Sequence, residues 1–180
     1  NTVDFIGDLV NERLPAAIDE LDRFLTGNEI VRSRCIGVGV LPADKAIAYS
    51  TAGPLLRASG VPYDLRRAEP YSIYDRLDFE VCTRSNGDVY DRYVVRIDEM
   101  RESVKICQQV MREIPEEGEI FTGKPQYNVR VPKGESYGRV ENPKGELGYY
   151  VVSKGKTNPY RYHVRAPSFI NLTVLGEMCK

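Results

Sequence analysis

Residues 89–114 read VYDRYVVRIDEMRESVKICQQVMREI. Tyr93, Ile97, Met100, Val104, Cys107, Met111 and Ile114 recur at alternating steps of four and three, which predicts one apolar face of a long helix from about Val89 to Ile114. Arg92, Glu99, Arg101, Glu102 and Arg112 fall opposite and read as a solvated face. Asp88, after the Ser85-Asn86-Gly87 turn, has the side chain of an N-cap. Pro115 and the Glu116-Glu117-Gly118 turn end the helix. A free coiled coil would need more heptads. This helix sets the expected fold class, α+β and mainly helical.

The segment before it, GPLLRASGVPYDLRRAEPYSIYDRLDFE from Gly53 to Glu80, is of another kind. Arginines, carboxylates, tyrosines, glycines and prolines are mixed with core-type apolar residues. Burying such a mixture is costly unless every charge finds a partner and every polar atom a hydrogen bond. A sequence that accepts this fixes a backbone, often at the wall of a site or an interface between polypeptides. The segment reads as mostly irregular, with Leu77–Val81 as a short strand. Arg57, Asp64, Arg66, Arg67, Asp75, Arg76, Asp91, Arg92 and Arg96 form its polar set. Guanidinium forks bind carboxylates bidentately and stay charged when buried, so the set is either a cavity wall or a network tying loop to helix.

Further upstream, Ile6, Leu9, Val10, Ala17, Ile18, Leu21, Phe24 and Leu25 give a helical pattern over about Asp4–Leu25. Pro15 either kinks this helix or starts a second one. Gly27 suits a left-handed cap after it. Gly37-Val38-Gly39 is not a dinucleotide loop, because the third glycine position holds Pro42 and no strand–helix unit of the right length follows. Pro42-Ala43-Asp44 leads instead into a short helix through Ala48.

Downstream, Tyr137/Arg139/Glu141 and Tyr149/Val151 alternate, and Pro143-Lys144-Gly145 is a natural turn. The expectation is a small antiparallel sheet of about three strands after Gly134, with INLTVLGEMCK beginning another helix. The chain divides into residues 1–117, helical with an irregular Arg/Asp-rich loop, and residues 118–180, a small antiparallel β part.

Composition narrows the function classes. Twenty-five basic against 26 acidic residues give a net charge of −1 and no general attraction to nucleic acid. No apolar run approaches the roughly 20 residues that cross a bilayer. The opening NTVDFIGDLV lacks an initiator methionine and a signal-peptide pattern, so the reading is a soluble protein of the cytosol or an organelle interior whose ends are not natural ones. Cys35, Cys82, Cys107 and Cys179 form no CxxC pair and read as reduced, mostly buried thiols. The single histidine, His163, stands in strand-like YRYHVR without a nucleophile motif around it. Asp75/Asp78 and Asp98/Glu99 lie among arginines and read as ion-pairing groups rather than general acids and bases.

Six blocks in register, GPLLRASGVPYDLRR, YDRLDFEV, GDVYDRYVVRIDEMRESVKI, ENPKGELGYYVVSKG, NPYRYHVRAPSF and INL, resemble the quinone-site subunit of respiratory complex I. In bacteria this family is the D component of NADH:quinone oxidoreductase, in mitochondria the 49 kDa subunit, and it is related to the large subunit of nickel–iron hydrogenases. The resemblance runs from about Pro15 onward; at Tyr63 the family more often has tryptophan before the DLR triplet. It implies a hydrogenase-large-subunit-like fold and an internal fragment of one larger polypeptide, inactive alone. It implies a peripheral position on the cytoplasmic face of the plasma membrane, or the matrix face of the mitochondrial inner membrane, with membrane contact only through the complex. Peripheral-arm and membrane-arm subunits would be the partners, with quinone as substrate and the terminal iron–sulfur cluster in a neighbouring subunit. No cofactor would be bound by this chain. The family's headgroup histidine and tyrosine lie in a part that matches nothing here, so no catalytic residue carries over. Arg57, Asp64 and Arg66 are cavity-supporting candidates. The alternatives are part of a membrane-bound energy-converting nickel–iron hydrogenase, whose two CxxC pairs would lie outside this piece, part of a ferredoxin- or deazaflavin-fed dehydrogenase, and an interaction scaffold without a redox role.

Overall fold

The structure, a computed structural model, describes residues 2–115, 117–118, 123 and 127–180. Glu116, part of the expected stop after the long helix, lies outside the described residues. The chain begins with α1 (Thr2–Asp8), a π-helical turn (Leu9–Arg13), α2 (Leu14–Leu21) and a second π turn (Asp22–Thr26). Pro15 stands in the first turn of α2, and the backbone stays helical through it, so no break falls near Leu14. The Leu14 N–H reaches Leu9 O just ahead of the proline, so the helix passes the missing donor by widening one turn. Gly27 is not left-handed (φ −85°). The chain stops there because Asn28 at once caps α3 (Glu29–Cys35), accepting from the N–H groups of Ile30 and Val31. Next come α4 (Ala43–Ala48), α5 (Pro54–Ala58) and α6 (Leu65–Ala68).

Helix α7 (Val89–Glu113) starts where expected, the Asp88 carboxylate accepting from the Asp91 N–H at 2.7 Å. It runs antiparallel to the N-terminal helix: Gln108 reaches Val10 O, Arg101 pairs with Asp19 and Asp22, and Tyr93 bonds Thr26. Val10, Ile18, Ile97 and Val104 form the core between them. The expected single stripe is only half of the buried surface. Cys107 and Ile114 are exposed, whereas Val95 and Ile106 are buried. The helix is packed on two sides, because Ile106 meets Leu77 and Phe79 of the irregular segment.

That segment does not pair as a strand at Leu77–Val81. Its backbone is held by side chains of α7: Gln109 accepts from Asp78 N–H and donates to Asp78 O, and Glu102 accepts from Glu80 N–H. These bonds satisfy backbone groups that a second strand would have satisfied.

The sheet is β1 (Gly134–Asn142), β2 (Gly145–Ser153) and β3 (Arg161–Arg165), antiparallel in the order β1-β2-β3. Pro143 and Lys144 form its tight turn, with Gly145 at φ +122°. Short helices α8 (Pro167–Leu172) and α9 (Leu175–Met178) follow, and Val174 between them enters the core with Leu41, Ala46, Leu55 and Leu56. Asn171 holds three parts together: it accepts from Ala52 N–H at 3.0 Å and donates to the carbonyls of Ala52 and Lys144.

Candidate functional site

Arg57 is on α5 and only 2% exposed. Its Nε donates to Glu99 Oε1 of α7 at 2.6 Å, and its Nη1 donates to Tyr63 O at 2.9 Å and to Glu141 Oε1 of β1 at 3.0 Å. Asp64 Oδ2 stands 3.8 Å from Nη1. One guanidinium thus ties the irregular segment, the long helix and the sheet. Lysine carries its three donors on one nitrogen and lacks the planar fork that spreads these bonds over two.

Asp64 caps α6 by accepting from Arg66 N–H at 2.9 Å, and the Arg66 side chain returns a bidentate pair, Nε to Oδ1 at 3.0 Å and Nη2 to Oδ2 at 2.7 Å. The Arg66 guanidinium also lies over the rings of Phe79 (4.8 Å) and Tyr74 (5.8 Å). Glu141 Oε2 accepts from Leu65 N–H, and Glu141 N–H donates to Tyr71 Oη. The sequence candidates Arg57, Asp64 and Arg66 are therefore in one cluster, completed by Glu99 and Glu141.

The charges are uneven: three carboxylates, Asp64, Glu99 and Glu141, gather around the guanidinium groups of Arg57 and Arg66. Burial opposes ionisation of Asp64, but the Arg66 hydrogen bonds and the charges of Arg66 and Arg57 outweigh it and hold its pKa below the ordinary value. For Glu141 burial wins, with Asp64 adding repulsion, and its pKa is raised despite Arg57. Arg57 stays firmly protonated: burial works against its charge, and Glu99, Glu141 and Asp64 together overcome it. Of these two carboxylates, Glu141 is therefore the one that takes up a proton first as pH falls.

Beside the cluster opens a cleft of about 470 Å³, lined by Arg57, Arg66, Arg96, Glu99, Glu141 and Lys144 among others. The rest of the polar set lies elsewhere. Buried Asp91 accepts from the Asn86 N–H and side chain, Arg92 donates to Gly87 O and Gly39 O, and Arg67 stacks on Phe79. Asp75 and Arg76 are exposed. A further buried carboxylate, Glu146, takes hydrogen bonds from Tyr63 and Tyr137 at 3.3 Å and from Arg139 at 3.2 Å. Glu99, read from the sequence with Asp98 as an ion-pairing group, does pair with Arg57; no pattern singled out Glu141 or Glu146 in the sequence, though a hint lay in the surplus of arginine around Asp64.

The cysteines differ from expectation: Cys107 and Cys179 are exposed, Cys35 and Cys82 half-buried, all free. Burial, then the charges of Asp98, Glu102 and Glu99, push the Cys82 thiol up to about 11. His163 is exposed on β3. Among the described residues no group of three or more His, Cys, Asp or Glu side chains could hold a metal ion, and no helix is long and apolar enough to cross a membrane.

Comparison with known proteins agrees with the sequence blocks. The family of the respiratory-chain NADH dehydrogenase 49 Kd subunit matches over residues 2–130 and 124–180. This chain belongs to that family. A D-type NADH-quinone oxidoreductase subunit of Roseiflexus sp. (strain RS-1) is 55% identical over 173 residues, covering 93% of this chain and 46% of the relative. Its counterpart in Dehalococcoides mccartyi (strain ATCC BAA-2266 / KCTC 15142 / 195) is 51% identical over 184 residues, covering 97% and 50%. The chain thus spans about half the length of these relatives. A chain of the membrane-bound sulfane sulfur reductase, an archaeal respiratory membrane complex, superposes with a TM-score of 0.89 at 35% identity, covering 98% of this chain and 48% of that one. This member of the 49 kDa family therefore shares its fold with a chain of that archaeal respiratory membrane complex.

Proposed function

We propose that this chain is part of the quinone-site subunit of a proton-pumping NADH:quinone oxidoreductase, where it helps form the quinone cavity beside the terminal iron–sulfur cluster of a partner. The observation that carries the reading is identity of 50–55% over nearly the whole chain to several D-type subunits of NADH-quinone oxidoreductase. The cofactor belongs to the neighbour, and the substrate is a quinone. The other peripheral-arm and membrane-arm subunits are the partners, and contact with the membrane is through them, on the cytoplasmic face (the matrix face in a mitochondrion).

In this role Arg57, Asp64 and Arg66 support the cavity rather than react. The bidentate Arg66–Asp64 pair and the three-way Arg57 junction fix the loop 53–80 on the long helix, and a fixed wall is what positions a substrate. Binding of a quinone analogue to the whole complex, with Arg66→Ala against the parent, tests this. Weaker analogue binding with normal assembly is expected; unchanged binding removes these residues from the cavity wall.

The sulfane sulfur reductase match supports a second reading, part of a related respiratory complex that delivers electrons to another acceptor. Reduction of quinone against sulfur compounds by the purified complex separates the two.

A further inference from the structure

The sheet has its polarity reversed. The strand register puts Glu135, Arg139, Glu141, Glu146, Arg161, His163 and Arg165 on one face. The Glu141, Glu146 and Arg165 part of that charged face is turned toward the rest of the chain, where Glu141 meets Arg57, Glu146 meets Tyr63, and Arg165 donates to Ser50 O, while Glu135, Arg161 and His163 at its far end are exposed. The other face holds Val140, Leu147, Tyr149, Val151, Tyr162 and Val164, with Ser136, Gly138, Asn142 and Ser153 at its margins and no charged residue. Val140, Tyr149 and Tyr162 are 42%, 49% and 65% exposed. An antiparallel sheet with one covered face normally covers its apolar side and shows its charged side to water.

We infer that this apolar face is an internal interface of the full-length polypeptide, covered by an apolar segment of that same polypeptide that lies outside these 180 residues. Three observations favour that occupant. The face is uncharged throughout, as in a domain core cut in two and unlike a transient docking surface, whose rim is polar. Glu141, Glu146 and Arg165 of the charged face are already satisfied within the chain, so a cover on the apolar side completes a two-sided layer there. The relatives are about twice as long, so a comparable length of polypeptide remains to be packed. The inference rests on family membership and not on the quinone reading, and each can fail without the other.

The test uses the full-length polypeptide in its assembled complex. A benzophenone amino acid replaces Tyr162, and separately Tyr149, and cross-links are mapped by mass spectrometry after irradiation. The expected product joins either position to an apolar stretch of the same polypeptide outside this region. Cross-links to another protein of the complex or to lipid, or no cross-link at all, overturn the inference. Because a bulky substitution can hinder assembly, nitration of the unmodified complex with tetranitromethane is the companion measurement. Tyr149 and Tyr162 are expected to be nitrated about tenfold less than in the unfolded chain. Equal nitration in both states contradicts a covered face.

Discussion

Gly53 and Gly145 meet backbone to backbone. A Cβ on Gly53 would lie 2.5 Å from Gly145 N, and one on Gly145 would lie 2.7 Å from Ala52 C. Both residues have positive φ, +67° and +122°. The tip of the β1–β2 hairpin therefore seats directly on the entry to α5, the helix that carries Arg57. Gly53→Ala and Gly145→Ala are each expected to destabilise the fold by about 2–4 kcal/mol, from left-handed strain and overpacking together. Chemical denaturation checks this. Gly138→Ala, at a position where a Cβ meets nothing within 4 Å, is the control expected to cost much less.

Arg57 and Glu141 should respond unequally to removal. Arg57→Met leaves Glu99, Glu141 and Asp64 without their shared cation, and breaking a buried pair in this way costs about 3–5 kcal/mol. Glu141→Gln leaves Asp64 and Glu99 balanced against Arg57 and Arg66, and forfeits roughly one hydrogen bond, about 1 kcal/mol. Denaturation midpoints at neutral pH compare them; equal losses would mean that Glu141 is a full partner in the charge balance.

Acid separates two carboxylates of the cluster. The pKa of Asp64 is lowered in the folded chain, so its stabilisation is complete above the unfolded aspartate pKa and is lost as pH falls through the folded value. Glu141 has a raised folded pKa, so its ionisation costs stability as pH rises through the acid range. Asp64→Asn is therefore expected to flatten the acid-side loss of stability, and Glu141→Gln to steepen it. Unfolding curves from neutral to strongly acid pH read the two slopes.

Much of the scaffold was legible in residues 85–114 and 134–153. Asp88 caps α7 as its side chain and position implied, and Pro143-Lys144-Gly145 makes the hairpin. The face of α7 was only half legible, because periodicity finds one stripe while Ile106 packs against a segment without periodicity of its own. Leu77–Val81 looked like a strand and is instead bonded to Gln109 and Glu102, a partnership between side chain and backbone that propensity does not encode. At the site, Arg57, Asp64 and Arg66 stand within ten residues and could be read together. Glu141, 84 residues beyond Arg57, is brought there only by the sheet, and Glu99 sits on a helix face that looked solvated.

Cys82 and Cys107 offer a reactivity contrast. The Cys82 thiol, pushed up to about 11 by burial and neighbouring carboxylates, carries little thiolate at pH 8. Cys107 is exposed. Maleimide labelling of the folded protein at pH 8 should modify Cys107 about tenfold faster than Cys82. Equal rates would show that the region around Cys82 opens readily.

The proposed role of the Arg57–Asp64–Arg66 cluster is to frame the place where electrons reach the quinone. Its most direct test is electron transfer in the assembled complex carrying Arg66→Ala, measured from NADH to quinone and from NADH to a water-soluble acceptor. A fall of about ten- to hundredfold in quinone reduction, with the second activity and the protein content of the complex unchanged, is the predicted result. Quinone reduction equal to the parent's in a fully assembled complex would rule out that role.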